Sequence, residues 1–250
     1  MNTNTEILTK AYDAGVTEEW ERLESVSGKI EFETIKHYLN LYADENSVVY
    51  DIGCGPGRYA EYLLEKNCRV AAIDLSQKSL DAFRYRINGH YSKNFIFSSR
   101  CCATKLDWIA PESADMILLM GPMYHLIDEK ERNMALRHCW RILKEYGFLF
   151  TVFMNTLHDA PCSCLPDYQL TTVWFQGYEV EQFRCSPHYA TEMLEYHGLT
   201  TNKIIVLDHF APSLFSERQG KSKPDFSFGN NPTNCDQFLI ISQKPSFKTQ

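Results

Sequence analysis

The stretch Val48-Val49-Tyr50-Asp51-Ile52-Gly53-Cys54-Gly55-Pro56-Gly57-Arg58-Tyr59 decides the fold. A β-branched and aromatic run ends in an acid, meets closely spaced glycines, and passes into a helical pattern. That order describes a strand, a tight turn and a helix N-terminus. Glycine has no Cβ, so the turn lets a ligand approach the main chain. The helix that follows aims free N–H groups and its positive dipole end at the loop, where an anionic group is favoured.

Outward from this stretch, the pattern repeats. Upstream, Ile35, Tyr38, Leu39 and Tyr42 fall at i, i+3, i+4 and i+7, one face of a helix over Glu31 to Tyr42. Downstream, the helix after the loop carries Tyr59, Tyr62 and Leu63 on one side and ends at Asn67. Arg69–Leu75 reads as the second strand, closing on Asp74. Ser76 is placed to cap a helix that buries Leu80, Phe83 and Ile87 and stops at Asn88-Gly89. Further strands are expected at Phe95–Ser98, Met116–Met120 and Phe148–Phe153, with a helix bearing Leu136, Cys139, Trp140 and Leu143 between the last two. Strict alternation of this kind argues a parallel, doubly wound α/β sheet.

A dinucleotide fingerprint beginning at Gly53 and Gly55 would require glycine at position 58, which is Arg. The pattern is instead D-x-G-x-G-x-G, and it resembles motif I of class I S-adenosylmethionine-dependent methyltransferases. The resemblance implies a Rossmann-like, seven-stranded and mostly parallel sheet with an antiparallel last strand. It also implies that Asp51, Gly53, Cys54, Gly55 and Gly57 lie along the methionine part of S-adenosylmethionine. A second acid, about 20 residues past the loop at the end of the next strand, would hold the ribose hydroxyls. Asp74 stands there, with Leu75 beside it. In the family an Asp after the third strand often takes the adenine amino group. The matching position here is Cys102, next to Ala103. A thiol is a poor acceptor, so adenine recognition would lean on main-chain groups. The resemblance also implies that Met120, at the end of the fourth strand, borders the cofactor.

The loop after that strand, Gly121-Pro122-Met123-Tyr124-His125-Leu126, resembles the G-P-[LM]-Y-H-L loop of a bacterial group of small-molecule methyltransferases. His125 is the candidate general base, because imidazole titrates near neutral pH. The alternative is an imidazole that pins the loop by hydrogen bonds. Tyr124 either lines the same pocket or packs. Arg58 is expected to close the glycine turn or pair with an acid. His209, after the sixth strand, is a weaker candidate.

These readings divide the chain into an N-terminal helical segment (1–45), a core (46–154 and 185–244), an insertion (155–184) and a loop (211–234). The N-terminal segment is acidic and carries Tyr12 and Trp20. It is either a solvated helix docked on the core or a lid from which Tyr12 reaches the cofactor. The insertion, rich in turns and aromatics, follows a strand's C-terminal end, where open α/β sheets bind ligands. A substrate-covering role is expected of it, with an idle surface loop as the alternative. Ser186 and Pro187 then start a helix ending at Gly198, and strands follow at Lys203–Leu207 and Phe238–Ser242.

Composition bounds the partners. The 250 residues carry a net charge of −7 with no Lys/Arg run, which argues against coating nucleic acid. No signal peptide or apolar run of about 20 residues is visible, so no membrane span is expected. Nine scattered cysteines without a C-x-x-C pair suit a reducing cytoplasm. His158, Cys162, Cys164, Cys185 and His188 cluster loosely in sequence, with incidental thiols as the expectation and a metal or metalloid site as the alternative. The expected activity is methyl transfer to a small-molecule acceptor by a monomer or homodimer. A thiol, metalloid or protein acceptor and a non-catalytic cofactor-binding protein are the alternatives.

Overall fold

The computed structural model describes residues 3–91, 93–156, 167–207 and 236–246. Three helices open the chain: α1 (Thr3–Ala14), α2 (Val16–Glu24) and α3 (Val26–Tyr42). Then β1 (Val48–Ile52), α4 (Arg58–Glu65), β2 (Arg69–Asp74), α5 (Gln77–Arg86), β3 (Phe95–Arg100) and β4 (Ala114–Leu119) follow in strict alternation. A 3₁₀ turn (Pro122–Tyr124) leads to α6 (Glu129–Ile142) and the long β5 (Leu143–Asn155). The rest comprises β6 (Tyr168–Phe175), β7 (Tyr178–Cys185), α7 (Pro187–Tyr196), β8 (Thr200–Val206) and β9 (Gln237–Gln243).

Strands β3, β2, β1, β4 and β5 lie side by side and parallel, and β9 runs antiparallel between β5 and β8. The sheet is therefore mixed and mostly parallel, flanked by helices on both faces, in a Rossmann-like arrangement. Alternate strand residues feed two cores. Val49, Val70, Ala72, Leu118, Phe150 and Leu239 pack with α3, α4 and α5, whereas Ile52, Ile73, Ile117, Leu149, Phe153 and Ile240 pack with α6 and α7. Both faces are dry, which is why these strands read as unbroken apolar runs.

The helix caps expected at Ser76 and Ser186 form, with Ser76 Oγ accepting from Ser79 N (3.0 Å) and Ser186 Oγ from Tyr189 N (3.1 Å); Asp128 caps α6 by accepting from Lys130 N (2.8 Å). Asn67 and Gly198 both adopt positive φ where their helices stop.

The described part of the insertion is more regular than its turn-rich sequence suggests, because β6 and β7 make an eight-pair antiparallel hairpin over residues 168–185. Its turn is Gln176-Gly177, with φ of 51° and 80°, the paired left-handed conformation that suits a two-residue hairpin. The hairpin adds two strands to the seven expected, so the sheet has nine strands among the described residues. Thr151 of β5 still pairs with β4, and Met154 pairs with β9 on the other edge. Met154 and Asn155 also pair with Arg184 and Cys185 of β7, which takes up the β4 side beyond the end of β4. The hairpin thus rises over the C-terminal ends of the parallel strands.

The loop at 211–234 and His209, His158, Cys162 and Cys164 lie outside the described residues. Among the described residues no group of three or more His, Cys, Asp or Glu side chains is arranged to hold a metal ion, and no helix is long and apolar enough to cross a membrane.

Candidate active site

The site lies where β1, β2, β3 and β4 end together. Gly53 N and Cys54 N both donate to Ile73 O (2.7 and 3.1 Å), which seats the glycine turn on the end of β2. Gly53 has φ of +77°, and a Cβ built there would stand 2.5 Å from Pro122 Cδ, so this glycine lets the β1 and β4 loops touch. Gly55 has φ of +53° and nothing within 4 Å of its Cβ position. It leaves open space above the turn.

Two carboxyls face that space. Asp74 Oδ2 accepts from Gly55 N (2.7 Å) and Oδ1 from Ser76 N (2.8 Å), so the acid ties the loop to the start of α5. Burial raises its pKa to about 6 against the pull of those bonds. Asp51 is 2% exposed, and its Oδ2 has no hydrogen-bond partner among the described residues. Burial first, and the charge of Asp74 second, push its pKa up to about 7. A buried carboxyl in this condition is short of a counter-charge.

The opposite wall comes from the N-terminal helices. Tyr12 of α1 shares a hydrogen bond of 2.8 Å with His125 Nε2, meets its ring edge-on, and packs against Phe175 near the hairpin turn at 4.9 Å. Asp13 Oδ1 accepts from Ser76 Oγ (2.6 Å) and Lys78 N (3.3 Å) at the other side of the cleft. Helix α1 therefore bridges the strand-four loop and the start of α5. Behind it, Arg58 donates to the carbonyls of Leu23 and Gly28, pairs with Glu24 at 3.5 Å and lies over Phe32 at 4.2 Å. It joins the glycine loop to the α2–α3 corner. Arg22 donates to both oxygens of Glu19 (2.8 and 2.9 Å) and reaches Glu31 at 3.7 Å.

The strand-four loop is held from below. Arg132 of α6 is buried, donates to Leu126 O (2.7 Å) and Ile127 O (2.9 Å), and lies 3.7 Å over the Phe183 ring. His125 is 8% exposed, and its Nδ1 has no hydrogen-bond partner among the described residues. Burial lowers its pKa to about 3, so the ring is neutral across the working range. Burial raises the Tyr12 and Tyr124 phenols well above their ordinary value, which keeps both protonated.

These walls enclose an open-mouthed pocket of about 1080 Å³, counting space continuous with solvent. Tyr12, Asp51, Gly53, Cys54, Gly55, Asp74, Leu75, Cys102, Ala103, Met120, Tyr124 and His125 are all brought to it. Gly57 is not among the lining residues. At φ of +83° its Cβ would lie 2.2 Å from Phe83 Cδ2, so its place is packing the turn onto α5. Cys102 Sγ accepts from Thr104 Oγ1 at 3.1 Å. Glu19, Arg22, Glu31 and Tyr59 also line the pocket and were not anticipated. The only local signal for them is the i, i+3 spacing of Glu19 and Arg22. Of the loose Cys/His cluster, Cys185 is buried on β7, whereas His188 is exposed beside Glu192.

Residues 49–147 match the methyltransferase domain family model. The carboxy-S-adenosyl-L-methionine synthase of Shewanella sediminis is 26% identical over 180 residues, 68% of this chain and 72% of that one. Among solved structures, the 1,6-didemethyltoxoflavin-N1-methyltransferase of Burkholderia thailandensis aligns over 96% of this chain and 88% of its own, with a TM-score of 0.64 and 15% identity. An S-adenosylmethionine-dependent methyltransferase from Mesorhizobium loti aligns over 88% and 100%, with a TM-score of 0.62 and 14% identity. A [4+2]-cyclase shares the same fold at a TM-score of 0.55 and 18% identity, over 81% and 76%. At these identities the structural likeness establishes the fold, and chemistry has to be argued from the site.

Proposed function

We propose that this chain is a class I S-adenosylmethionine-dependent methyltransferase acting on a small molecule. The observation that carries the reading is one cleft with two kinds of wall. The glycine turn, the Asp74 carboxyl and the unpartnered Asp51 oxygen form one side, and Tyr12, Tyr124 and His125 form the other. The methyltransferase-domain match over 49–147 supports the first side, and the Burkholderia thailandensis enzyme, solved with 1,6-didemethyltoxoflavin and S-adenosylhomocysteine bound, supports the pairing.

The residues fit the cofactor. The Asp51 carboxyl lacks a cation that the cofactor's ammonium group would provide. Gly55 leaves the turn open to it. Asp74, already oriented by two main-chain N–H groups, would hold the ribose hydroxyls, and Cys102, Ala103 and Met120, which line the same pocket, would border the adenine. When bound, the cofactor supplies an electrophilic methyl group on a sulfonium. The chain's own work is to orient the acceptor and keep water out. Helix α1 performs the second task by spanning the cleft. Tyr124 and His125 perform the first, from a loop that Arg132 holds rigid.

Calorimetric titration with S-adenosylmethionine and S-adenosylhomocysteine, with NAD as control, tests the cofactor assignment. Binding of the first two in the micromolar range and none of NAD supports it. Silence with both overturns it. Cofactor binding without label transfer to any member of a broad acceptor panel would point instead to a non-catalytic binding protein.

A further inference from the structure

Six cysteines fall among the described residues, and burial divides them. Cys54, Cys68, Cys139 and Cys185 are buried, and burial raises each thiol above its ordinary pKa, to about 12 at Cys139. Such thiols are poor nucleophiles, because the thiolate is the attacking form. Cys101 and Cys102 differ. They are half-buried neighbours just past the end of β3, and both line the cleft. Both sulfurs hydrogen-bond within the turn that follows. Lys105 N donates to Cys102 O (2.9 Å), which closes that turn. The Cys101 thiol donates to Lys105 O (3.1 Å), so its proton is engaged. Cys102 Sγ instead accepts from Thr104 Oγ1 (3.1 Å). A hydroxyl aimed at this sulfur also serves the negative charge that forms when the thiol reacts.

Resting on the function proposed above, in which Cys102 borders the adenine, we infer that the Cys101–Cys102 pair is a modification site for small disulfides. Cys102 is the attacking sulfur, and its adduct and the cofactor exclude one another. The step is thiol–disulfide exchange. The Cys102 sulfur forms a new S–S bond to one sulfur of the incoming disulfide R–S–S–R. The old S–S bond breaks, its electron pair leaves on the second sulfur, and that sulfur takes up the proton that Cys102 released. Cys102 is oxidised, the small disulfide is reduced to one thiol, and excess thiol reverses the exchange. The R–S group is then attached to a residue that lines the cleft, and it takes volume from the adenine side. Cys54, in the glycine turn of the same cleft, is kept out of this chemistry by burial. Linkage makes the effect reciprocal: a cofactor that the adduct excludes must itself protect Cys102.

The test uses the full chain, reduced or treated with hydroxyethyl disulfide, a neutral probe whose adduct dithiothreitol removes. Peptide masses should place the adduct at Cys102, and they separate the pair from Cys162, Cys164 and Cys235, which lie outside the described residues. Calorimetry with S-adenosylhomocysteine is expected to show binding weakened about tenfold or more by the adduct, the scale of overfilling a packed site, and restored by dithiothreitol. In the reverse experiment, S-adenosylhomocysteine at about ten times its Kd leaves about a tenth of the protein open, so labelling at Cys102 should slow about tenfold. The double variant Cys101→Ser/Cys102→Ser, with folding checked by thermal melting, should bind S-adenosylhomocysteine equally before and after treatment. Mapping and protection on the wild type decide the matter even if that variant does not fold. An adduct that misses Cys102, full affinity in the labelled wild type, labelling that ignores S-adenosylhomocysteine, or a folded double variant that still loses affinity on treatment would each overturn the modification site while leaving the methyltransferase reading intact. Failure of the reduced protein to bind S-adenosylhomocysteine would overturn both.

Discussion

The Tyr12 hydroxyl and His125 Nε2 stand 2.8 Å apart across 113 positions of sequence, the contact that fastens helix α1 to the loop after β4. Among the described residues neither group has another side-chain hydrogen bond, and His125 is buried while Tyr12 is half-buried. The pair works as a latch over the cleft. Tyr12→Phe keeps the ring contacts with His125 and Phe175 and removes only the hydrogen bond. The loss is expected to be about 1–2 kcal/mol in the stability of the closed arrangement. Hydrogen exchange in α1 should speed up and the acceptor KM should rise. Exchange unchanged from wild type would show that α1 is held by Asp13 and packing alone.

The carboxyl of Asp51 makes cofactor affinity depend on pH, and the sign follows from its position. In the unliganded fold its pKa is about 7, against an ordinary value of 3.8, so the native state holds a proton that the unfolded chain gives up. Its stabilising contribution is full below the unfolded value and is lost as pH rises through about 7. Binding an ammonium group needs the ionised form. Affinity for S-adenosylmethionine should therefore climb from about pH 5.5 to about pH 7 and level off above it. Asp74, with its pKa at about 6, contributes to the lower part of the climb. Asp51→Asn should flatten the upper part and weaken binding throughout. A wild-type profile already flat across that range would show that the ammonium is met elsewhere.

Asp74 is expected to act on the ligand and on the loop together. Its two oxygens fix Gly55 N and Ser76 N, so Asp74→Ala removes a ribose partner and also frees the turn. Calorimetry should show cofactor binding weakened by about 1–3 kcal/mol. Asp74→Asn can keep one acceptor oxygen and should fall between the two. Equal affinity for all three proteins would exclude the ribose role.

Much of this arrangement was legible in the sequence, and the reasons are local. The alternation of Val49, Tyr50 and Ile52 with Asp51 at the strand end, three closely spaced glycines, and Asp74 at the next strand's end each depend on backbone geometry that neighbouring residues dictate. The same holds for Ser76, Ser186 and Gly198 at helix ends. The β6–β7 hairpin escaped because Tyr168–Phe175 has no buried position, its residues alternating only between exposed and half-buried, and its turn uses Gln176 rather than the more usual Asn or Asp before glycine. Glu19, Arg22 and Glu31 escaped for a different reason. They meet the pocket only because α2 and α3 fold back over it, and nothing near Arg22 in sequence tells that its partner Glu31 is close in space. Arg58 does pair with an acid, as its sequence reading expects, but the sequence does not show that the acid is Glu24 or that the same side chain reaches the Gly28 carbonyl, thirty residues upstream.

The glycine turn offers a separation of folding from binding. Gly57 and Gly55 both hold φ in the left-handed region, at +83° and +53°. At Gly57 an added methyl would lie 2.2 Å from the buried Phe83 ring, and at Gly55 it would enter open space. Gly57→Ala therefore combines backbone strain with a clash and should destabilise the fold by about 2–4 kcal/mol, read as a lowered melting temperature. Gly55→Ala carries only the strain, about 1 kcal/mol, and its methyl projects into the volume assigned to the cofactor. Its melting temperature should stay close to wild type while S-adenosylmethionine affinity falls by an order of magnitude or more. If Gly55→Ala bound the cofactor as well as wild type, the open space above the turn would not be where the cofactor lies, and the assignment of this loop to ligand binding would fail.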